Sequence, residues 1–494
     1  MNKKGLTLIE ILAVISFIGV LLLLVLPSIN SFISSRYDEI DEVIMESLEN
    51  SVRLYTAANR LNYPMNAGDI YCIEINELIE KAYANEKIIE QSDQYQLSDV
   101  LKVEVLQNRL LHISKSASCA PYYVQDYYQD NSGASIPVLI DNLIPIVFSG
   151  TEFIRADVTK RWYDYDEGQW ANAVLVTEES FENYQGGYAG PINTPDILGY
   201  FVWIPRYRYS LFNVGTGTVA EQTIDVRFEI ARSARAKGDD NGQWYTHPAF
   251  EFGEKSLGGF WFGKFTTTGT VGVPRVAPNQ TMLRNHSFYT NYTASRNFAS
   301  NVKVLNARMA RNTEWGAVAL LSKSGYGNSE EVWSNPNNNY VTGCAGDSAR
   351  PPSSSNCNIF TSENGVKAST TGNVYGVYDM SGGALESVMG VMVNLAGIFD
   401  RAQSDFDEIN TLDPRYIDRY DYGVTQSNSD AYERRILGDA TSETRGWYSS
   451  SSQFVFEGNS FFLRGGNINS PGLFSFNNSP GNDTSGFRLV LSED

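Results

Sequence analysis

The sequence predicts an α+β protein: a long N-terminal α-helix, a small head and a large, strand-rich C-terminal domain. Three observations predict it. One apolar stretch runs from Leu6 to Leu26 with Glu10 as its only charge. Apolar residues then recur at steps of three and four, as Ile29, Phe32, Ile33, Tyr37, Ile40, Ile44, Leu48, Val52 and Tyr55, which is one helical face. From about residue 151 the texture changes to Trp- and Tyr-rich segments with Gly turns, such as Leu198–Pro205 and Gly258–Phe265.

The first element is the apolar one. Its 21 or so residues, at 1.5 Å each, cover about 30 Å, the hydrocarbon thickness of a bilayer, with Lys3 and Lys4 on the cytoplasmic side. The stretch ends in Val25-Leu26-Pro27-Ser28-Ile29, without the small residues of a signal-peptidase site. Beyond Pro27 the opposite face carries Asp38, Glu39, Asp41, Glu42, Glu46 and Glu49, so residues 6–61 are expected as one helix that leaves the membrane as a stalk. Pro64 and Asn66-Ala67-Gly68 end it. A small head follows over 62–150, with strand-like runs at Leu101–Leu106 and Ile136–Ile140, and the strand-rich domain occupies 151–494.

Composition bounds the function. The chain has 494 residues, about three units' worth at roughly 150 residues each. Its 38 Lys plus Arg against 57 Asp plus Glu give −19, which argues against direct nucleic-acid binding. Cys72, Cys119, Cys344 and Cys357 lack metal-ligand spacing and allow three disulfide connectivities. For an exported chain the simplest is Cys72 to Cys119 and Cys344 to Cys357.

Glu10 is the anomaly, because an acid at a membrane-helix centre costs about 2.5–3.5 kcal/mol on insertion scales. Lys3-Lys4-Gly5-Leu6-Thr7-Leu8-Ile9-Glu10 resembles the class III leader of type IV pilins and pseudopilins. The resemblance implies leader residues 1–5, cleavage after Gly5 by a prepilin peptidase, methylation of Leu6, and a Glu10 that pairs with the freed amine of a neighbouring subunit. Pro27 stands where pilins carry a helix-loosening proline. The implied partners are the chain itself, as a filament homo-oligomer, and an inner-membrane assembly machinery. The implied location is a single-pass membrane protein before assembly and an extracellular pilus after it. Physically, buried acid and ammonium offset each other's desolvation only in a fixed stagger of subunits.

Asn373-Val374-Tyr375-Gly376-Val377-Tyr378-Asp379-Met380-Ser381-Gly382-Gly383-Ala384-Leu385-Glu386 is similar to the signature of formylglycine-generating-enzyme-like domains. Arg464-Gly465-Gly466 and Gly486-Phe487-Arg488 resemble the closing elements of that family. Together they imply a C-type-lectin-like (FGE-sulfatase-like) fold over roughly residues 190–494. Asn312–Ala319 reads as a helix before the signature. In that family a cysteine pair between the closing elements binds copper, and this interval has no cysteine. An Asn beside the signature binds calcium in the family, whereas Gly383 stands there here, so Glu386 is expected as a hydrogen-bonded structural acid.

No cofactor, metal or catalytic residue is therefore expected. His112, His247 and His286 show no HxH or HxxxH spacing. Gly258–Lys264 imitates a phosphate loop, but Phe265 replaces its Ser/Thr and aromatic residues fill it, so a buried strand is expected. In lectin-like relatives the interval between the closing elements forms a binding face. That resemblance makes Asn467, Asn469, Phe474, Phe476, Asn477 and Asn478 the candidate site for a glycan or protein ligand. The expected function is a type IV pilus subunit displaying a non-enzymatic domain for adhesion. The alternatives are a pseudopilin of a secretion or DNA-uptake system, or a membrane-tethered surface enzyme.

Overall fold

The computed structural model describes residues 43–56, 69–119, 128–229, 243–300, 306–350, 356–393, 406–421 and 435–492, less short gaps within them. It also describes Leu12, Ile15, Ser16, Ile40, Asp41, Asn59 and Tyr63. Gly5, Leu6, Glu10 and Pro27 lie outside the described residues, as does most of the apolar span expected over 6–26. The chain divides into two compact units, Met1–Asp126 and Tyr127–Asp494.

In the first unit residues 43–56 are helical (α1). Ile44, Leu48, Val52 and Tyr55, spaced by four, four and three, form one stripe, and all four are buried. They pack with the inward residues of an antiparallel sheet of β1 (Ile70–Glu74), β2 (Val100–Val105) and β3 (Leu111–Lys115), with β2 in the centre. Ile73, Leu101, Val103 and Ile113 supply that face, and each buried aliphatic side chain stabilises the unit by about 1.5–3 kcal/mol. A short helix, α2 (Ile75–Glu80), follows β1 and buries Ile75 and Leu78. A disulfide joins Cys72 to Cys119.

The second unit is built from sheets. Its strands include β4 (Leu143–Phe148), β5 (Phe153–Arg155), β6 (Asn172–Val176), β7 (Ile197–Pro205), β8 (Tyr207–Ser210), β9 (Val226–Phe228) and β10 (Trp244–Thr246). Further along come β11 (Gly259–Gly263), β12 (Asn306–Met309), β13 (Glu386–Val393) and β14 (Asp418–Asp421). The chain closes with β15 (Phe461–Asn467), β16 (Ser470–Ser479), β17 (Gly486–Phe487) and β18 (Leu489–Ser492). One antiparallel sheet runs β12-β18-β11-β7-β6-β4-β5, and a second runs β14-β13-β15-β16, with β17 also on β13. Trp170, Trp203, Trp261, Trp315 and Trp447 are fully buried in a common core. Helix α3 (Phe288–Arg296) packs against β12, and α4 (Asn312–Ser322) is buried on every side. Gly316 makes that possible, because a Cβ there would sit 2.1 Å from the Gly438 carbonyl.

Two expectations are corrected. The expected α+β class with a long N-terminal transmembrane and stalk helix is not what the described residues show: strands predominate over helices among them, and none of their helices is long and apolar enough to cross a membrane, while the span expected over 6–26 lies almost entirely outside them. The physical reason lies in α1, whose apolar stripe is consumed by the small sheet instead of running along a stalk. The large aromatic domain, moreover, satisfies its backbone through strand ladders. The head does not extend over 62–150 either, since β4 is hydrogen-bonded into the sheet of the second unit. Of the run expected as a strand over Ile136–Ile140, the described residues 136–139 form none; here the Trp203 and Trp261 indole N–H groups donate to the carbonyls of Ser135, just before the run, and Val138.

Candidate functional site

The signature elements converge on one buried carboxylate. Glu386 opens β13, where it lies opposite Arg464 of β15 and Gly486 of β17. The Arg488 Nη2 and Nε donate to its two oxygens at 2.6 and 3.0 Å, and the Thr266 hydroxyl donates at 2.6 Å. Both partners of the ion pair are fully buried. This bidentate fork ties the signature strand to the closing strand, and its donors occupy both carboxylate oxygens. Gly383 explains the glycine beside it: φ is +69°, and a Cβ would lie 2.7 Å from the Met282 methyl.

The neighbouring charged residues are spent the same way. Arg464 donates to the Asn312 side chain and to the carbonyls of Asp439 and Ala440, at 2.9–3.0 Å. Burial lowers its pKa to about 10, with Asp439 opposing. Asp379, at φ +59°, accepts from Asn335 and from the Gly343 N–H, and burial pushes it up to about 6. Asn335 and Ser334 are likewise interior. Lys264, at the end of the phosphate-loop lookalike, gives its three protons to the Asn172 side chain and the Val374 and Gly376 carbonyls at 2.7–2.8 Å. Its desolvation lowers the pKa well below the usual lysine range.

The candidate binding residues do not form one face. Phe474 and Phe476 are core, with 2% and 0% exposure, which corrects their expected place on a ligand-binding surface. Phase along β16 does not decide exposure, because Leu473 and Ser475 on the opposite side are buried too; on their own side Phe474 meets Trp447 edge-on at 5.2 Å and Phe476 lies 6.0 Å from the Arg464 guanidinium. Asn467 caps the β15–β16 turn by accepting from the N–H groups of Asn469 and Ser470. Asn477 accepts from the Ser451 hydroxyl, and Asn478 donates to the Phe454 carbonyl. Asn469 alone of the six is exposed.

A shallow cleft beside β16 was not legible in the sequence. Lys323, Glu331, Arg350, Tyr448 and Phe474 line it, and its enclosed space is about that of one water. Tyr448 and Ser449 both hold left-handed backbone, φ 53° and 55°, a cost of about 1–3 kcal/mol each that accumulates at functional positions. The Tyr448 N–H donates to Glu221, and its ring stacks on Phe474 at 6.3 Å. The Lys323 ammonium lies 5.3 Å from that ring, and Arg350 bonds Glu331 and Ser450. Gly446 and the Ser run after Tyr448 were the only local signal, and they mark a turn without revealing its hand.

Both expected disulfides form, Cys72–Cys119 and Cys344–Cys357. Among the described residues no cluster of three or more His, Cys, Asp or Glu side chains is arranged to hold a metal. No protein-family model matches the sequence, and no curated protein matches it.

Proposed function

We propose that this chain is a prepilin-like subunit, cut after Gly5 and incorporated into a filament, which displays its second unit outside the cell for adhesion to a glycan or protein. The leader carries the reading: Lys3-Lys4-Gly5-Leu6, with Glu10 at the fifth position after the cut. The two disulfides support it, since such bridges persist in oxidising compartments. A non-enzymatic role is supported by the way Glu386, Arg464, Arg488, Asp379 and Lys264 are engaged with one another and with backbone carbonyls. The cleft at Tyr448 is the candidate contact surface, where a shallow floor and a strained aromatic backbone suit a partner laid across it.

Filament incorporation is tested by shearing cells that express the Glu10→Ala chain. The sheared fraction is expected to lose the protein while the membrane fraction keeps it. Equal amounts in the sheared fraction would overturn the reading.

A further inference from the structure

The three-stranded sheet β10-β8-β9 has an outer face that the function above does not use. Its inner residues, Tyr207, Tyr209 and Val226, are buried in the core. Outward, Arg208 of β8 stands directly opposite Arg227 of β9, with Thr246 of β10 on its other side and Trp244 one step diagonal. Like charges facing each other across a strand pair destabilise a sheet. The chain is strongly acidic overall, yet it places two guanidiniums in this register.

Trp244 holds both. The Arg227 guanidinium carbon is 4.1 Å from the indole centroid, and that of Arg208 is 5.6 Å away. Arg208 is ion-paired with Glu229 at 3.8 Å, a carboxylate that also meets Arg206 at 3.4 Å and the Thr246 hydroxyl. Arg227 is exposed, and among the described residues its guanidinium makes no ion pair or hydrogen bond. A guanidinium held by its face and unspent at its edge is a preorganised fork for a planar or tetrahedral anion.

We propose that the outer face of β8, β9 and β10 binds an anionic glycan, whose sulfate or carboxylate groups engage Arg227 and Arg208 and whose sugar ring lies along the Trp244 edge. Two guanidiniums are too few to hold a long polyphosphate against a chain charge of −19, whereas a short glycan segment presents one or two anionic groups. The half-buried indole between them supplies apolar surface for a pyranose, which a bare acidic peptide would leave unused. The inference goes beyond the function proposed above and does not depend on the leader, so it stands or falls separately.

The test is titration calorimetry of the full chain with a heparin hexasaccharide, an oligogalacturonate, neutral dextran and poly-glutamate. At least one of the two anionic glycans is expected to bind, dextran and poly-glutamate to bind less. Arg227→Gln is expected to weaken binding about tenfold, the worth of one charge-assisted fork, with Arg227→Lys recovering only part. Trp244→Leu is expected to weaken it as well. Arg284→Gln removes a guanidinium stacked 3.7 Å over Tyr340, outside this sheet, and is expected to change nothing. No binding by either anionic glycan, tighter binding of poly-glutamate, or equal losses in Arg227→Gln and Arg284→Gln would each overturn the proposal.

Discussion

The Glu386–Arg488 pair offers the sharpest structural test. Glu386→Gln keeps the shape but removes the charge, leaving a fully buried guanidinium opposite an amide whose NH2 cannot accept. Losing one partner of such a pair costs about 3–5 kcal/mol. Residues 127–494 make 494 − 126 = 368 residues. At about 2.1 cal/mol/K per residue the unfolding entropy is about 0.8 kcal/mol/K, so the expected fall in Tm is about 4–6 °C. Calorimetry of the full chain reads it as a shift of the larger transition. Arg488→Met should cost a similar amount, and the double variant less than the sum of the two, because the uncompensated charge is then gone. A Tm unchanged within 1 °C in Glu386→Gln, or strict additivity in the double variant, would refute the idea that the signature acid is a structural tie.

Further outcomes follow from other residues. Burial raises Glu443 to about 7, where it accepts from the Tyr209 hydroxyl and the Gly438 N–H. A raised acid contributes stability that is present below its unfolded pKa and lost as pH rises through the folded one. Urea midpoints should therefore fall between about pH 4.5 and 7, and Glu443→Gln should lessen that fall by about 3 kcal/mol, since its NH2 can donate to the tyrosine oxygen. The Cys72→Ser/Cys119→Ser pair should destabilise the first unit by about 4 kcal/mol, given the 47-residue separation, as read by thermal melting of the oxidised and reduced chains. Phe474→Ala should lower the stability of the second unit by about 3–5 kcal/mol in urea titrations, as loss of a core aromatic does. Gly383→Asn should be destabilising by over 1 kcal/mol in the same assay, because the left-handed φ and the Met282 methyl both resist it.

The sequence made some of this visible because local chemistry carried it. Spacing of four, four and three at Ile44, Leu48, Val52 and Tyr55 marked α1, and the run from Asn312 marked α4. The two disulfides followed from proximity in the chain, and Gly259–Gly263 was legible as a buried strand. Glu386 was read as a hydrogen-bonded acid, but its partner, Arg488, is 102 residues away, and no local pattern connects the two. The binding face was misread for a related reason. Phe474 and Phe476 share a phase on β16, and only the tertiary structure puts Trp447 and Arg464 where solvent was expected. Tyr448 was invisible because backbone handedness at a non-glycine residue is imposed by its surroundings, here the bond to Glu221 and the stack on Phe474. The stalk was overextended because a helical period says where apolar residues point, and it cannot say whether a sheet waits to cover them.

The most direct measurement of the central claim is intact-mass and N-terminal peptide mass spectrometry of the full chain recovered from its producing cell. The account predicts a chain that begins at Leu6 and carries one added methyl group on its amine. An N-terminus at Met1, or a cut anywhere other than after Gly5, would contradict it.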